Sequence, residues 1–473
     1  MNIVIVGAGV VGANLAQQLA LEAQDISLVD NDQARLEDIS GKVDCRTIIG
    51  NGETPSVLRK AGIEHADMVI AVTSEDATNI IVCVLAERYG VTHKIARVRN
   101  PEYADDGEIS ALKLPETRED SETKALLRQR SALTGLVDAI INPDEIIVNA
   151  LQQFVNSPGA TEVADFAEGR VQMRKFVVRE GTALSGLQMM DLATYTQAEP
   201  FLVVAIDRGD ETIVPTGTDR ILPGDEVTIV MPEGVLPFVL GLIGHTIDEV
   251  NKVVITGAGP NAISLANMLE PSVEQVILIE ETEEASDEAH ERTGSSIVIF
   301  GNSTDEDIQQ EIGMETADYF IALTDNDEHN LLSCLLAKKN GAKRVAMLVQ
   351  EVQYMRVLGQ IGIDIAVNSR LLTMGAILRY VRRGRILAVA KFHGERAEAI
   401  EMIAEPKARI VGKPLKDITM PRGAIIGAVQ RGDVVNLPTG NYVIEPGDRV
   451  IVFTLNKAIH EVEHLFAKRG LFG

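Results

Sequence analysis

Residues 3–12 read IVIVGAGVVG, a short apolar run that leads into a glycine-rich turn. An apolar run of this length predicts a buried β-strand, and the residues after the turn begin a helical pattern. Residues 253–262 read VVITGAGPNA and repeat the same order of strand, turn and helix. The chain therefore begins the same structural unit twice, with the turns opening at Gly7 and Gly257.

The duplication extends over most of the chain, as the comparison of later segments indicates. The segment ADMVIAVTSEDATNIIVCVLAERYG (66–90) matches ADYFIALTDNDEHNLLSCLLAKKNG (317–341). Further along, VAIDRGDETIVPTGTDRILPGDEVTIV (204–230) matches GAVQRGDVVNLPTGNYVIEPGDRVIV (427–452). The repeated unit therefore contains both an early and a late part.

The first copy is longer than the second. The distance between matching residues falls from 251, for Ala66 and Ala317, to 223, for Pro223 and Pro446. We place the additional residues in the charged stretch 103–133, which has no sustained apolar stripe. Such a stretch is expected to be a mobile surface excursion with some helix.

Each copy divides into two parts with different patterns. The first part alternates apolar strands with helices, which predicts an α/β fold with a Rossmann-like, doubly wound parallel sheet. The second part has short strands, PxG and PGD turns and a closing helix, which indicates a small α+β lobe. We therefore predict parallel-sheet lobes at 1–140 and 250–368, and α+β lobes at 163–247 and 388–473.

The composition restricts the possible partners and compartments. The 473-residue chain has 69 acidic and 44 basic residues and a net charge of −25, which disfavours nucleic acid and anionic lipid as partners. Met1 leads directly into a strand, and no apolar run is long enough to cross a membrane. Cys45, Cys83 and Cys334 form no CxxC pair, which fits a reducing cytoplasm without zinc or disulfide sites. The last two occupy equivalent places in apolar helices, and we expect them to pack in cores.

The first glycine turn has the spacing of a dinucleotide-binding site. Gly7 permits the tight turn, Gly9 lets the backbone approach a pyrophosphate, and Gly12 lets the helix lie close to the strand. Asp30 ends the next predicted strand, where its carboxylate can accept hydrogen bonds from ribose hydroxyls. An acid at this position disfavours a 2′-phosphate, so NAD or an adenine nucleotide is expected rather than NADP. The alternative is a turn that serves only strand–helix packing.

The second glycine turn keeps most of these features. Gly257 and Gly259 repeat the first two glycines, and Glu280 repeats the acid. Ala262 replaces the third glycine, a change that concerns helix packing and not the approach to phosphate. Pro260 suits the first turn of a helix. A second nucleotide site is expected, and a purely structural copy remains the alternative.

The predicted end of the strand KIARV distinguishes the two copies. Arg97 lies at the sheet edge where ligands bind and can pair with a phosphate in a bidentate manner. We align it with Met347, which cannot do so. The first site is therefore the better equipped for charged phosphates, unless Arg97 only forms a surface salt bridge.

Two further pairs of polar residues are candidate ligand contacts. Thr73 and Thr324 end the strands VIAVT and FIALT, where they can bond ligand oxygens or cap the next helix. Asn51 and Asn302 lie in GN turns, where they can reach the adenine or ribose or only favour the turn.

No catalytic set accompanies the nucleotide pattern. Hydride transfer needs a proton donor or acceptor beside the nicotinamide, whereas the α+β lobes offer mainly RGD and PGD turn residues. We therefore expect a nucleotide-sensing protein. The alternatives are a duplicated NAD-dependent oxidoreductase with its substrate site between lobes, and a scaffold whose second turn binds nothing.

The order of motifs resembles that of tandem RCK (regulator of potassium conductance) proteins of bacterial Trk potassium-uptake systems. The resemblance covers essentially the whole chain. It is carried by IVGAGVVG with Asp30, by AVTSEDATNIIVCVLAERYG and ARVRNPEY, and by PTGTDRILPGDEV, PTGNYVIEPGDRV and GAIIGAVQRGD. It implies that the predicted lobes are RCK N-lobes, each followed by an RCK C-lobe, and that the chain is not an enzyme.

The resemblance also implies that NAD(H), ATP or ADP binds to the N-lobes. The positions that correspond to family site residues are Gly7, Ala8, Gly9, Val10, Val11, Asp30, Thr73, Ser74 and Arg97 in the first half, and Gly257, Ala258, Gly259, Pro260, Asn261 and Glu280 in the second. Two departures are evident. Asn51 and Asn302 stand where the family often has an acid, and the 103–133 excursion is longer than usual.

The partners implied by the resemblance are a potassium-translocating (TrkH-like) membrane subunit and further copies of the chain, as a dimer or tetramer. The chain would be cytoplasmic and peripheral on the inner face of the cell membrane. Our hypothesis is that nucleotides favour one arrangement of paired N-lobes, so that a ring of lobes acts on the transport subunit.

Overall fold

The structure, a computed structural model of the chain, describes residues 1–103, 136–196, 198–209, 211–244, 250–381, 386–392 and 396–466. The predicted excursion at 103–133 lies outside these ranges except for its first residue.

The first parallel lobe develops from the opening strand and turn. Its strands are β1 (Asn2–Val6), β2 (Asp25–Asp30), β3 (Arg46–Ile49), β4 (Met68–Ala71), β5 (His93–Arg97) and β6 (Ala139–Ile141). Its helices are α1 (Val10–Leu21), α2 (Gln33–Ser40), α3 (Pro55–Lys60) and α4 (Asp76–Arg88). All neighbouring strands are parallel, in the order β3-β2-β1-β4-β5-β6. The order reverses between β1 and β4, and ligands of such sheets bind beyond the carboxyl ends of these strands.

The centre of this lobe is apolar on both faces of the sheet, because strands covered on both sides cannot expose polar groups to water. Val4, Val69 and Ala96 from three strands belong to one buried cluster. Cys83 of α4 lies in the same cluster, and burial raises the pKa of its thiol to about 12. The expectation that this cysteine packs in a core is confirmed.

The first antiparallel lobe follows α5 (Pro143–Val155). Its elements are β7 (Ala160–Phe166), β8 (Val171–Val177), α6 (Ala193–Thr196), β9 (Leu202–Arg208), β10 (Glu211–Ile213), β11 (Glu226–Pro232) and α7 (Leu236–Leu242). The strands pair in the order β10-β9-β11-β8-β7. Arg208 donates from Nε and Nη2 to the buried carboxylate of Asp225, at 2.9 and 2.8 Å. The RGD and PGD segments thus hold two strands together through a bidentate ion pair.

The second parallel lobe repeats the first with the same strand order, β14-β13-β12-β15-β16-β17. Its strands are β12 (Lys252–Thr256), β13 (Gln275–Glu280), β14 (Ile297–Phe300), β15 (Tyr319–Ala322), β16 (Arg344–Val349) and β17 (Ile365–Asn368). Its helices are α8 (Pro260–Leu269), α9 (Glu283–Arg292), α10 (Glu306–Glu311), α11 (Asp327–Lys339) and α12 (Met355–Leu358), and α13 (Ser369–Val381) follows. Cys334 is buried in its core, as predicted.

The second antiparallel lobe completes the duplication. Its elements are β18 (Ile386–Phe392), β19 (Ala397–Ile403), β20 (Ala424–Arg431), β21 (Val434–Asn436), β22 (Arg449–Leu455) and α14 (Ile459–Phe466). The strand order is β18-β19-β22-β20-β21. Arg431 binds the buried carboxylate of Asp448 as Arg208 binds Asp225, at 2.8 and 2.7 Å. The α/β class and the small α+β lobes predicted from the sequence are confirmed.

The chain divides into two compact units that do not coincide with the two halves of the sequence. The first unit contains Met1–Ile147 together with Gln350–Val352 and Asn368–Leu378. The second unit contains the other residues. Most of α13 therefore folds with the first parallel lobe, although it belongs to the second half of the sequence.

Within the second unit, the two antiparallel lobes share one apolar cluster. Val204 and Val230 of the first lobe and Ala428 and Ile451 of the second are fully buried in it. Around this cluster, Glu401 accepts a hydrogen bond from the Ala167 amide at 3.1 Å. Burial raises the pKa of Glu401, and this hydrogen bond opposes the increase. The antiparallel lobes are thus joined by apolar packing as well as by polar contacts.

Candidate functional site

The glycine turn of the first parallel lobe can be formed only by glycine at its first position. Gly7 has a φ of +107°, and its amide donates to the Val29 carbonyl at 2.8 Å. A Cβ atom at this residue would lie 2.9 Å from the amide nitrogen of Thr73. Backbone conformation and packing therefore both require the absence of a side chain.

Glycine is needed at the third position of the motif because of helix packing and not because of its backbone conformation. A Cβ atom on Gly12 would lie 1.8 Å from the Gly7 carbonyl oxygen, so α1 can approach the turn only with glycine there. Its counterpart Ala262 is fully buried in the second lobe. The second turn thus accommodates one methyl group that the first cannot.

The second glycine faces open space at the start of α1. No atom lies within 4 Å of a Cβ built on Gly9, and no side chain caps the helix. The first amide groups of a helix have no partner within the helix and attract anions. The start of α1 is thus bare main chain that no side chain covers at Gly9.

Asp30 joins the end of β2 to the glycine turn. One carboxylate oxygen accepts from the Ala8 amide at 2.5 Å, and the other accepts from the Asp32 amide at 2.8 Å. Each carboxylate oxygen has two lone pairs, so the bonding to the turn does not exhaust its capacity. The ribose contact expected of Asp30 remains a prediction.

A buried asparagine that the sequence analysis overlooked organises the neighbouring strand ends. Oδ1 of Asn79 accepts from the amide and hydroxyl of Thr73, at 2.9 and 2.8 Å. Its Nδ2 donates to the carbonyl of Thr73 at 3.1 Å and to that of Arg97 at 2.8 Å. The repetition of this asparagine in the two copies of the helix, as Asn330 in the second, was the available sequence signal.

Arg97 lies at the end of β5 with an incompletely satisfied guanidinium group. Its Nε is buried and has no hydrogen-bond partner among the residues that the structure describes. Burial lowers the pKa of the Arg97 side chain, the nearby charges of Arg99 and Arg370 lower it further, and those of Asp144 and Asp76 oppose the decrease. Since arginine nevertheless stays protonated at physiological pH, this position favours an anionic ligand.

These groups surround a cavity of about 440 Å³ in the first unit, within the usual range for small-molecule sites. Predicted site residues at its wall are Gly7, Gly9, Val10, Val11, Asp30, Asn51, Thr73, Ser74 and Arg97. The predicted residues Ala8 and Gly12 belong to the turn but not to the wall. Polar residues of the wall that the sequence analysis missed include Arg35, Thr78, Arg99, Gln350, Ser369, Arg370 and Thr373.

The polar residues of the two GN turns stabilise those turns. Asn51 accepts from the amide of Glu53 at 2.8 Å, and Asn302 accepts from the amide of Thr304 at 2.7 Å. The structure therefore supports the turn-forming alternative for both residues. Asn51 in addition lines the cavity.

The second turn repeats the backbone of the first. Gly257 has a φ of +95°, and Glu280 accepts from the Ala258 amide at 2.8 Å. Pro260 begins α8 directly after Gly259. Thr324 bonds to its own buried asparagine, Asn330, as Thr73 does to Asn79. The main-chain path of the turn is thus present twice, although Pro260 has no amide N–H where Val10 has one.

The side chains near the second turn differ in charge from those near the first. Asn330 donates to the carbonyl of Leu348, just as Asn79 donates to that of Arg97. The structural counterpart of Arg97 is therefore Leu348, and the alignment with Met347 was wrong by one residue. Asn261 provides a buried Oδ1 without a hydrogen-bond partner among the described residues. The apolar Leu348 therefore stands where the first lobe has the Arg97 cation, and Asn261 adds a neutral amide at the start of α8.

One cluster in the second parallel lobe superficially resembles a hydrolase triad. Ser303 Oγ lies 3.1 Å from Nε2 of His329, and a carboxylate oxygen of Glu281 lies 3.5 Å from the same nitrogen. In a catalytic triad the acid binds the other ring nitrogen and orients the ring for proton transfer. This cluster therefore lacks the arrangement for nucleophilic catalysis.

The described residues contain neither a metal-binding cluster nor a membrane-spanning helix. Among them, no group of three or more histidine, cysteine or acidic side chains is placed to hold a metal ion. In the described part of the chain, no helix has both the length and the apolar character needed to cross a membrane.

The domain families of the chain agree with the duplicated fold. The TrkA-N domain family matches residues 3–109 and 253–369, which include both glycine turns. The TrkA-C domain family matches residues 173–237 and 400–467, within the antiparallel lobes.

Relatives match the chain from end to end. The Trk system potassium uptake protein TrkA of Halomonas elongata is 35% identical, with 98% of each chain covered. The protein of the same name from Vibrio alginolyticus is 34% identical over the full length of both chains. A TrkA homolog of Methanosarcina mazei is 31% identical over 98% of this chain and all of its own.

Solved structures share the fold at lower sequence identity. The RCK domain of GsuK has a TM-score of 0.57 and 16% identity, and 98% of this chain and 94% of that chain are covered. The GsuK channel bound to NAD has a TM-score of 0.59 and 15% identity, with 98% and 78% covered. The fold is thus that of tandem RCK domains. The full-length relatives are named as potassium uptake proteins, and the chain belongs to the family of the Trk system potassium uptake protein TrkA.

Proposed function

We propose that this chain is a nucleotide-sensing regulatory subunit that gates a potassium-translocating (TrkH-like) membrane partner in the Trk system. The observation that carries the proposal is the first cavity, which is lined by the glycine turn at the start of α1 and by Arg97, whose buried Nε has no hydrogen-bond partner among the described residues. Family membership supports the connection to potassium uptake.

The residues of the cavity fit a nucleotide. A diphosphate suits the start of α1, where Gly9 leaves room beside the helix amides. Asp30 lies at the end of the adjacent strand for a ribose, and Arg97 supplies positive charge for a phosphate. NAD(H), ATP and ADP are the candidate ligands. The GsuK channel shares the fold and binds NAD, which is consistent with NAD(H) as one of these candidates.

The proposed sensing is a shift in the population of two conformations. A nucleotide that binds one conformation more tightly stabilises it by at most the difference in its two binding free energies. Two or more copies of the chain, as a dimer or tetramer, would transmit the shift to the transport subunit. The chain would then act at the cytoplasmic face of the cell membrane.

The test combines binding with transport. Titration calorimetry of the full chain with NADH, ATP and ADP should give saturable binding. Arg97→Gln should lower the affinity for the tightest-binding nucleotide about 10- to 100-fold, because it removes a charge-assisted contact. Arg59→Gln is the matched control, since Arg59 is exposed on α3 and does not line the cavity.

The transport measurement uses vesicles that contain the Trk membrane subunit. Potassium flux should change when the nucleotide is added with the wild-type chain, and the Arg97→Gln chain should need a correspondingly higher concentration. A chain that binds no nucleotide, or that binds it without any change in flux, would contradict the proposed function.

A further inference from the structure

The first cavity contains residues from both halves of the sequence. Gln350, Ser369, Arg370 and Thr373 lie at its wall, and all of them belong to the first compact unit. The start of α13 is defined by Asn368, whose Oδ1 accepts from the Leu371 amide at 3.0 Å. The helix therefore carries Arg370 to the cavity on a defined first turn.

Arg370 adds to a concentration of positive charge. Arg97, Arg99 and Arg370 all line the cavity. Burial lowers the pKa of Arg97, and the charges of Arg99 and Arg370 lower it further, whereas those of Asp144 and Asp76 oppose the decrease. Acidic residues lie nearby as well: Asp30 and Glu75 line the cavity, and one oxygen of Asp76 accepts from the amides of Arg99 and Asn100. An ordered anion would relieve the mutual repulsion of the three guanidinium groups.

The partner that Arg370 has in this structure binds it only weakly. Nη1 of Arg370 lies 3.5 Å from an oxygen of Glu351, and the two side chains are 30% and 51% exposed. Ion pairs exposed to this extent contribute little free energy. A phosphate in the cavity can therefore compete with Glu351 for the guanidinium.

The arginines are particular to this cavity and are not general features of the lobe. In the second copy, the positions of Arg97 and Arg99 are occupied by Leu348 and Gln350. The position of Arg370, two residues after the asparagine that ends the strand, is occupied in the first half by Asp144. Strand and helix geometry is the same in both copies, so the fold alone does not require these cations.

We propose that Arg370 is a phosphate-binding residue of the first cavity and that, with Arg97 and Arg99, it selects a nucleoside triphosphate. This inference rests on the nucleotide site proposed above. The helix amides at Gly9 suit a diphosphate in any of the candidate ligands. The third phosphate of a triphosphate brings further negative charge to the arginines. A dinucleotide instead has a second ribose and a nicotinamide after its diphosphate, and the nicotinamide is cationic when oxidised. The triphosphate thereby connects the first turn to a helix of the second half.

The experiment compares ATP, ADP, NADH and inorganic tripolyphosphate by calorimetry on the full chain. Arg370→Gln should lower the affinity for ATP about 10- to 100-fold and should change the affinities for ADP and NADH by less than about threefold. Glu351→Gln should raise the affinity for ATP a few-fold, because it releases Arg370 from its ion pair with Glu351. Arg59→Gln should leave all four affinities unchanged, and thermal unfolding without ligand should report that each variant folds.

The outcomes separate this inference from the proposed function. The role of Arg370 would be overturned if the Arg370→Gln chain kept the wild-type affinity for ATP. It would also be overturned if the affinities for ATP, ADP and NADH fell by the same factor. Tripolyphosphate that binds as tightly as ATP would overturn selection of a nucleoside. A wild-type chain that binds none of the nucleotides would instead refute the nucleotide site itself.

Discussion

At the scale of single residues, the two glycine turns show how one methyl group separates otherwise similar sites. Gly12 and Ala262 occupy equivalent positions on α1 and α8, and both helices start directly after a glycine. In the first turn, a Cβ atom on Gly12 would overlap the Gly7 carbonyl oxygen, whereas in the second turn the buried methyl group of Ala262 fits. Local backbone placement, and not the motif as such, decides which residue is allowed.

Exchange of these residues should therefore have unequal effects. Gly12→Ala should destabilise the first parallel lobe by about 3 kcal/mol, because its Cβ would overlap the Gly7 oxygen and α1 would have to move. Ala262→Gly should cost only about 1 kcal/mol through greater backbone freedom in a helix. Thermal and urea unfolding followed by circular dichroism would measure both. Equal losses of stability would contradict this account of the turns.

At the scale of elements, each parallel lobe depends on one asparagine that connects a helix to two strands. Asn79 of α4 uses its whole amide to bond the ends of β4 and β5, and Asn330 of α11 does the same for β15 and β16. Because such buried bonds satisfy carbonyl groups that water cannot reach, they hold Thr73 and Arg97 in their positions at the cavity.

Replacement of either asparagine by aspartate should test this connection. Asn79→Asp removes two donors and places a carboxylate against two carbonyl oxygens, so the first parallel lobe should lose about 2–3 kcal/mol. Nucleotide affinity at the first cavity should fall as well, since the Arg97 backbone loses its support. Asn330→Asp is the matched control, which should lower stability similarly but leave the first cavity intact. Unfolding curves and calorimetry measure the two effects, and an affinity loss in both variants would contradict the prediction.

At the scale of the whole molecule, the compact units cut across the sequence repeat. The first unit recruits the start of α13, and the second contains both antiparallel lobes with their shared apolar cluster. Next to two residues of that cluster, a Cβ atom on Gly427 would lie 3.2 Å from a methyl of Val230 and 3.5 Å from one of Val204. The absence of a side chain thus permits the close approach of the two lobes.

A bulky residue at this point should loosen the contact between the antiparallel lobes. Gly427→Leu should cost about 1–3 kcal/mol through overpacking and should speed amide hydrogen exchange in β9 and β11. Gly427→Ala is the smaller control, because its methyl group needs a shift of only a few tenths of an ångström. Exchange rates in the Leu variant that match those of the wild type would show that the lobes do not rely on this contact.

The sequence by itself determined the duplicated fold, because strand, turn and helix patterns are local and a glycine turn has few conformations. It also predicted nine of the 23 residues that line the first cavity, because these nine lie in the glycine turn or at the ends of predicted strands. The error at Met347 was avoidable from the sequence, because the spacing of 251 between matching residues in this part of the chain aligns Arg97 with Leu348.

Only the tertiary structure decided which remote residues complete the cavity and how the lobes are grouped. Arg370 lies on a helix of the second half, and no local pattern indicates that this helix folds with the first lobe. The physical reason is that such packing depends on complementary apolar surfaces between distant segments, which periodicity along the chain does not encode. The cations at the cavity could be counted in the sequence, but their convergence is a property of the fold.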